Sequence, residues 1–141
     1  RTYPFLRTEV LVETAQGRNV RTLVIGNGKR KVIYSAAHHA NEWITTPVLL
    51  KFAEDFAESF ENGGKIGGVD AKKLSDAVTI YMVPMVNPDG VDLVTGAISE
   101  GDGQYEIARR MAENYPQMLF NREMHRVVQG GTLGKILYAE G

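Results

Sequence analysis

Cysteine is absent from this chain of 141 residues. That excludes a disulfide framework, a thiolate metal site and a cysteine nucleophile, and it leaves the compartment open. Net charge is scarce as well: 16 Lys and Arg against 17 Asp and Glu give −1. There is no basic surplus to seek nucleic acid or an anionic membrane surface, so neither is expected as a partner. Long apolar runs are missing, and none approaches the roughly 20 residues needed to cross a bilayer. Gly26-Asn27-Gly28 lacks the Lys-Ser/Thr of a phosphate-binding loop. No nucleophile elbow of the form G-x-S-x-G occurs. Nothing singles out a glycosidase pair of carboxylates. The opening Arg1-Thr2-Tyr3-Pro4-Phe5-Leu6 has no signal-peptide pattern and no initiator Met. A processed or excised segment is therefore expected.

What remains is an ordinary globular composition. A hydrophobic fraction of 43% beside 23% charged residues supports one domain with a real core. Residues Glu9 to Ile25 alternate as a β-hairpin around Gln16-Gly17-Arg18-Asn19. Gly26 to Lys29 is a second turn. Lys31 to Ala37 reads as a strand covered on both faces, because its apolar residues do not alternate. Thr45-Thr46-Pro47 is expected to start a helix, a hydroxyl as N-cap and the proline at the first helical position. Leu49, Phe52, Ala53, Phe56 and Phe60 recur at helical spacing and predict a buried stripe on a helix over 46–60. Asn62-Gly63-Gly64 ends it. Asp70 to Ser75 is a short capped helix, and Val78 to Val83 a strand. Asn87-Pro88-Asp89-Gly90 is expected to be a turn. Residues 97–104 are acid- and glycine-rich and expected to be mobile. Helices follow at Tyr105–Asn114 and Arg122–Gln129, and Lys135 to Ala139 reads as a last strand. Strands alternating with helices imply an α/β domain with a mixed sheet.

The chemistry concentrates in Val32-Ile33-Tyr34-Ser35-Ala36-Ala37-His38-His39-Ala40-Asn41-Glu42-Trp43. A short strand runs into a loop with His39 and Glu42 spaced H-x-x-E. Neutral imidazole and carboxylate are ligand types that zinc takes. Spacing alone favours two solvated loop residues. His38 is open between an outer group, an alternative ligand and a packed histidine, with packing favoured.

The order of His38-His39-Ala40-Asn41-Glu42-Trp43 and the later Val83-Pro84-Met85-Val86-Asn87-Pro88-Asp89-Gly90 resembles the zinc carboxypeptidase family (carboxypeptidase A-like metallopeptidases). Within it the chain is most similar to the bacterial branch that cleaves γ-D-glutamyl-diaminopimelate bonds in murein peptides. The resemblance covers Tyr3 to Pro116. It implies an α/β fold, a mixed β-sheet flanked by helices, of the carboxypeptidase (phosphorylase/hydrolase-like) kind, present here as a truncated N-terminal half over 1–116. It implies zinc held by His39 and Glu42, with the turn at Asn87, Pro88, Asp89 and Gly90 shaping a wall of the site. It also implies a peptide substrate with a free carboxylate near the cleaved bond, and the bacterial cytoplasm or cell envelope as compartment. The family's third histidine, its general base and its carboxylate-gripping arginine are not legible. His125 sits in a helical context, and Glu123 and Glu140 are bases only in the sense that any carboxylate is. The tail over 117–141 resembles, in its Arg122 to Gly141 part, a helix-strand segment of glucose-fructose oxidoreductase-like dehydrogenases. No dinucleotide fingerprint accompanies it, so no dehydrogenase activity follows.

Two readings result. In one, the chain is part of a zinc metallopeptidase, with weak or no zinc binding and no turnover of its own. In the other, it is a non-catalytic fragment or pseudoenzyme that folds and self-associates. A sheet that continues in the parent fold should leave an exposed strand edge, through which a homo-oligomer is expected.

Overall fold

A computed structural model describes residues 3–113. The elements in chain order are β1 (Arg7–Glu13), β2 (Asn19–Ile25), β3 (Arg30–Ser35), a 3-10 turn (Ala40–Glu42) and α1 (Thr45–Asn62). There follow β4 (Lys65–Ile66), β5 (Val69–Asp70), α2 (Ala71–Ala77), β6 (Val78–Val83), α3 (Pro88–Thr95) and α4 (Gly103–Glu113). The mixed α/β class read from the sequence is what folds. The expected helix at 122–129 and strand at 135–139 lie outside the described residues.

Four strands form one sheet in the order β1-β2-β6-β3. β1 and β2 are the expected hairpin, antiparallel, with a bulge between Val10 and Val12. β2 pairs antiparallel with β6, and β3 pairs parallel with β6. Successive strand residues point to opposite faces. Leu23 and Ile25 of β2 and Ile80 and Met82 of β6 therefore share the face that α1 covers. Ile25, Ala53, Phe56, Ile80 and Met82 form the core, with Leu6, Leu49, Phe52, Phe60 and Leu74 packed around it. Phe56 is wholly buried. The aromatic stripe of α1 is thus core packing, as its spacing predicts. Phe60 also stacks on Phe5, ring centroids 4.1 Å apart, which binds the N-terminal segment to the helix.

Four expectations need correction. The strand 31–37 ends at Ser35 and lies at a sheet edge. Among the described residues it has a strand neighbour on one side only. Ile33 is 70% exposed and Tyr34 46%. Its lack of alternation reflects apolar residues on both faces, not cover on both. Asn87-Pro88-Asp89-Gly90 is not a free turn but the start of α3. Asn87 is the N-cap, its Oδ1 accepting Gly90 N–H at 2.9 Å, and Pro88 follows in the first turn. The same residues suit a turn or a cap, and the buried Val91 and Leu93 behind them decide for the helix. Thr46 does not cap α1: the cap position is Ile44, which makes no side-chain cap bond. The stretch 97–104 is tied down, with Ile98 buried and Asp102 accepting from the amide and hydroxyl of Ser99.

Two other local predictions match. Asp70 caps α2, its Oδ1 accepting Lys73 N–H at 2.9 Å. Its carboxyl is held below the usual aspartate range, chiefly by that backbone bond. Gly28 lies where the β2–β3 turn presses on the α2–β6 junction. A Cβ there would come 2.1 Å from the backbone carbon of Ala77. The buried Thr79 hydroxyl donates to the Gly28 carbonyl at 2.7 Å and pins the turn.

Candidate metal centre

Because β3 and β6 run parallel, their C-terminal ends leave the sheet side by side. The β3 end leads into the histidine loop, and the β6 end leads into Asn87. Backbone bonds stitch the two exits together. Ala36 N–H donates to Val83 O, Val86 N–H to Ala36 O, and Asn87 N–H to Ala37 O, each at 3.0 Å. Such exits from a rigid sheet are where loops carry chemistry.

Ala37 then turns the chain with φ 51°, the single non-glycine residue of positive φ among the described residues. This conformation disfavours a side chain and persists only where neighbours enforce it. Here the Ala37 carbonyl is held by Asn87. The Ala37 amide donates to Thr45 Oγ1 at 2.9 Å. Next, the 3-10 turn brings Glu42 N–H to His39 O at 3.2 Å. That turn folds the H-x-x-E spacing onto one side. His39 Nδ1 stands 3.1 Å from both Oε1 and Oε2 of Glu42. The pair is about half exposed, with side-chain exposures of 38% and 47%.

The donor set suits zinc in type and placement. An imidazole nitrogen and a carboxylate converge across a gap that two bonds of roughly 2 Å span. The two groups bond to each other. Among the described residues no cluster of three or more His, Cys, Asp or Glu could hold a metal ion. The structure thus brings together the two residues the sequence singles out, and no third such donor joins them among the described residues. His125, Glu123 and Glu140 lie outside the described residues. His38, for which packing was the favoured reading, is exposed instead. It follows the turn at Ala37 and bonds through Nε2 to Ser35 Oγ at 2.8 Å.

The wall residues are engaged structurally. Asp89 Oδ1 accepts from the Thr14 hydroxyl at 2.9 Å and from the Arg18 guanidinium at 3.2 Å. Arg18 also reaches Asp92 at 2.8 Å. The tip of the β1–β2 hairpin is thereby fastened to α3, which packs on the 3-10 turn. Asn87 is buried, and its Nδ2 has no partner among the described residues. Sequence reasoning missed Ala37 and Thr45. The only signal was the Thr45-Thr46 pair, read as a helix cap, whereas Thr46 donates to Pro84 O at 2.6 Å and Thr45 serves the loop.

Comparison with known proteins fits this geometry. The family model described as zinc carboxypeptidase matches residues 1–117. Gamma-D-glutamyl-L-diamino acid endopeptidase 1 of Lysinibacillus sphaericus is 40% identical over 92 residues, 65% of this chain and 23% of its own length. An uncharacterized protein of Bacillus subtilis (strain 168) is 34% identical over 116 residues, 81% of this chain and 31% of its own. In fold, the chain is similar to bovine thrombin-activatable fibrinolysis inhibitor, with a TM-score of 0.54 and 16% identity, over 71% of this chain and 33% of that one. The chain therefore spans a quarter to a third of the length of these relatives.

Proposed function

Since the chain belongs to the zinc carboxypeptidase family, we propose that it supplies the His39 and Glu42 ligands of a zinc-dependent peptidase site. The observation that carries this reading is the convergence of His39 Nδ1 on both Glu42 oxygens at 3.1 Å. Zinc bound there would polarise a peptide carbonyl and make a water acidic near neutral pH. The chain's own part is to hold two ligands in register on a loop fixed to the sheet. For the whole protein we propose hydrolysis of peptide bonds near a free carboxylate, with murein peptides as the substrate class. The similarity to a γ-D-glutamyl-L-diamino acid endopeptidase supports that choice.

Two ligands from one loop hold a metal weakly, because a full site needs the remaining donors and their supporting bonds. Calorimetric zinc titration of the 141-residue chain tests this. We expect weak binding that is lost in His39→Ala and in Glu42→Ala. Binding that survives both substitutions overturns the assignment. We expect no measurable hydrolysis of murein tripeptides by this chain alone, since the described residues supply no identified base or substrate-gripping arginine.

A second reading is favoured by the exposed β3 edge. Tyr34 of that strand lines an open apolar groove with Val48, Leu49 and Phe52 of α1, and Ile33 is exposed on the opposite face. In this reading the chain is a non-catalytic module that pairs with a second copy through that edge.

A further inference from the structure

We propose that Thr45 is the positioning residue that sets the separation of His39 and Glu42, an inference that rests on the metal-ligand reading above. The Thr45 hydroxyl accepts the Ala37 amide at 2.9 Å and donates to the Glu42 carbonyl at 2.6 Å. One oxygen therefore closes the stretch 37–42 at its first and last residue. His39 and Glu42 both lie within that closure.

The hydroxyl is not capping the helix it starts. The cap position of α1 belongs to Ile44, with no side-chain cap bond. Nor does it anchor α1 to the sheet, because Thr46 does that through Pro84 O. Both of its bonds go to the ends of the loop.

The conformation of Ala37 shows why the loop needs it. At φ 51° the backbone is in the left-handed region, which is disfavoured for alanine and needs enforcement from outside. The two enforcing bonds are Asn87 N–H to the Ala37 carbonyl and the Ala37 amide to Thr45. Ala37 is 2% exposed, so water is a poor substitute acceptor for that amide. Without the hydroxyl, Ala37 loses one of its two enforcing bonds and relaxes toward negative φ. That changes the direction in which the chain leaves β3 and carries His39 away from Glu42. Within the 3-10 turn, Glu42 N–H bonds to His39 O at 3.2 Å, a contact that does not fix the turn's direction relative to β3. Groups that orient metal ligands commonly change affinity ten- to a hundredfold when removed.

The test compares Thr45→Val, which keeps the shape and loses both bonds, with Thr45→Ser, which keeps the hydroxyl. Amide hydrogen exchange at Ala37 and Glu42 is read by NMR on the 141-residue chain. Zinc affinity is read by titration, and thermal midpoint is followed for each variant. The core substitution Phe56→Leu serves as a control that lowers stability away from the loop. We expect a protected Ala37 amide in the parent chain. Thr45→Val should lose at least tenfold in that protection and about tenfold in zinc affinity, and Thr45→Ser should recover both. Phe56→Leu should lower the thermal midpoint and leave zinc affinity unchanged. The proposal is overturned by an Ala37 amide that exchanges freely in the parent chain, by parent-like zinc affinity in Thr45→Val, or by failure of Thr45→Ser to recover it. If His39→Ala leaves zinc binding intact, the metal-ligand reading falls, and exchange at Ala37 and Glu42 decides the loop closure separately.

Discussion

Arg18 reaches Asp89 at 3.2 Å although 71 residues separate them in sequence. The contact joins the tip of a hairpin to the first turn of α3, and Arg18 spans to Asp92 from its second terminal nitrogen at 2.8 Å. A planar fork holds two carboxylates from two separate nitrogens in a fixed geometry, whereas an ammonium offers one point charge on a flexible stem.

Arg18→Ala is therefore expected to lower stability by about 1 kcal/mol, the upper range for an ion pair that is only partly exposed. Arg18→Lys should recover less than half of the loss. Urea unfolding midpoints measure both. A midpoint unchanged in Arg18→Ala would show that the hairpin tip is held without the ion pair.

Gly28 has no room for a methyl group. The obstructing atoms are backbone at Ala77 and Val78, which cannot swing aside as a side chain would. Gly28→Ala should cost about 3 kcal/mol through overpacking. The exposed Gly103, with open space around its missing Cβ, provides the comparison. Thermal unfolding of the two alanine variants should show a large loss for the first and little change for the second.

The Asp70 cap gives a pH signature. Its carboxyl has a lowered pKa, mainly from the bond donated by Lys73 N–H. A depressed acid stabilises the fold above its unfolded pKa, and the contribution fades as pH falls through the folded value. Asp70→Ala should thus be less stable than the parent chain at neutral pH, and the difference should shrink on acidification. Denaturant midpoints across the acidic range check this. A difference that stays constant would mean the cap acts without its charge.

Association through the β3 edge is expected from the exposed Ile33 and Tyr34 and from the one-sided pairing of that strand. A lysine on an edge strand discourages pairing with another chain. Light scattering of the purified chain should show oligomers that Ile33→Lys shifts toward monomer. A parent chain that stays monomeric at high concentration would remove the second reading.

Much of the local structure was legible in the sequence. Val78 to Val83 is a strand with those bounds, Asp70 caps a helix, and the stripe from Leu49 to Phe60 packs on the sheet. These features depend on neighbours within a few positions, so the pattern is written along the chain. The placement of β3 at an edge was not legible, because apolar residues on both faces look the same whether or not something covers them. Asn87 was read as part of a turn, since Asn-Pro satisfies turn and cap chemistry alike. His39 and Glu42 were legible as a pair, because the spacing and the resemblance both depend on adjacent letters. What makes them a pair in space was hidden. It lies in a left-handed alanine, a threonine that closes a loop, and an asparagine from a distant segment, none of which has a composition of its own.

The two-residue strands β4 and β5, antiparallel around Gly67 and Gly68, follow the C-terminal end of α1. The loop that carries His39 precedes the other end of that helix, and the bonds that hold that loop come from Thr45, Val83 and Asn87. The chain thus has a point of permissiveness in its middle. Residues added between Ile66 and Val69, or a label attached there, would be absorbed locally, and the ligand pair would keep its register while the path between its supports grew longer.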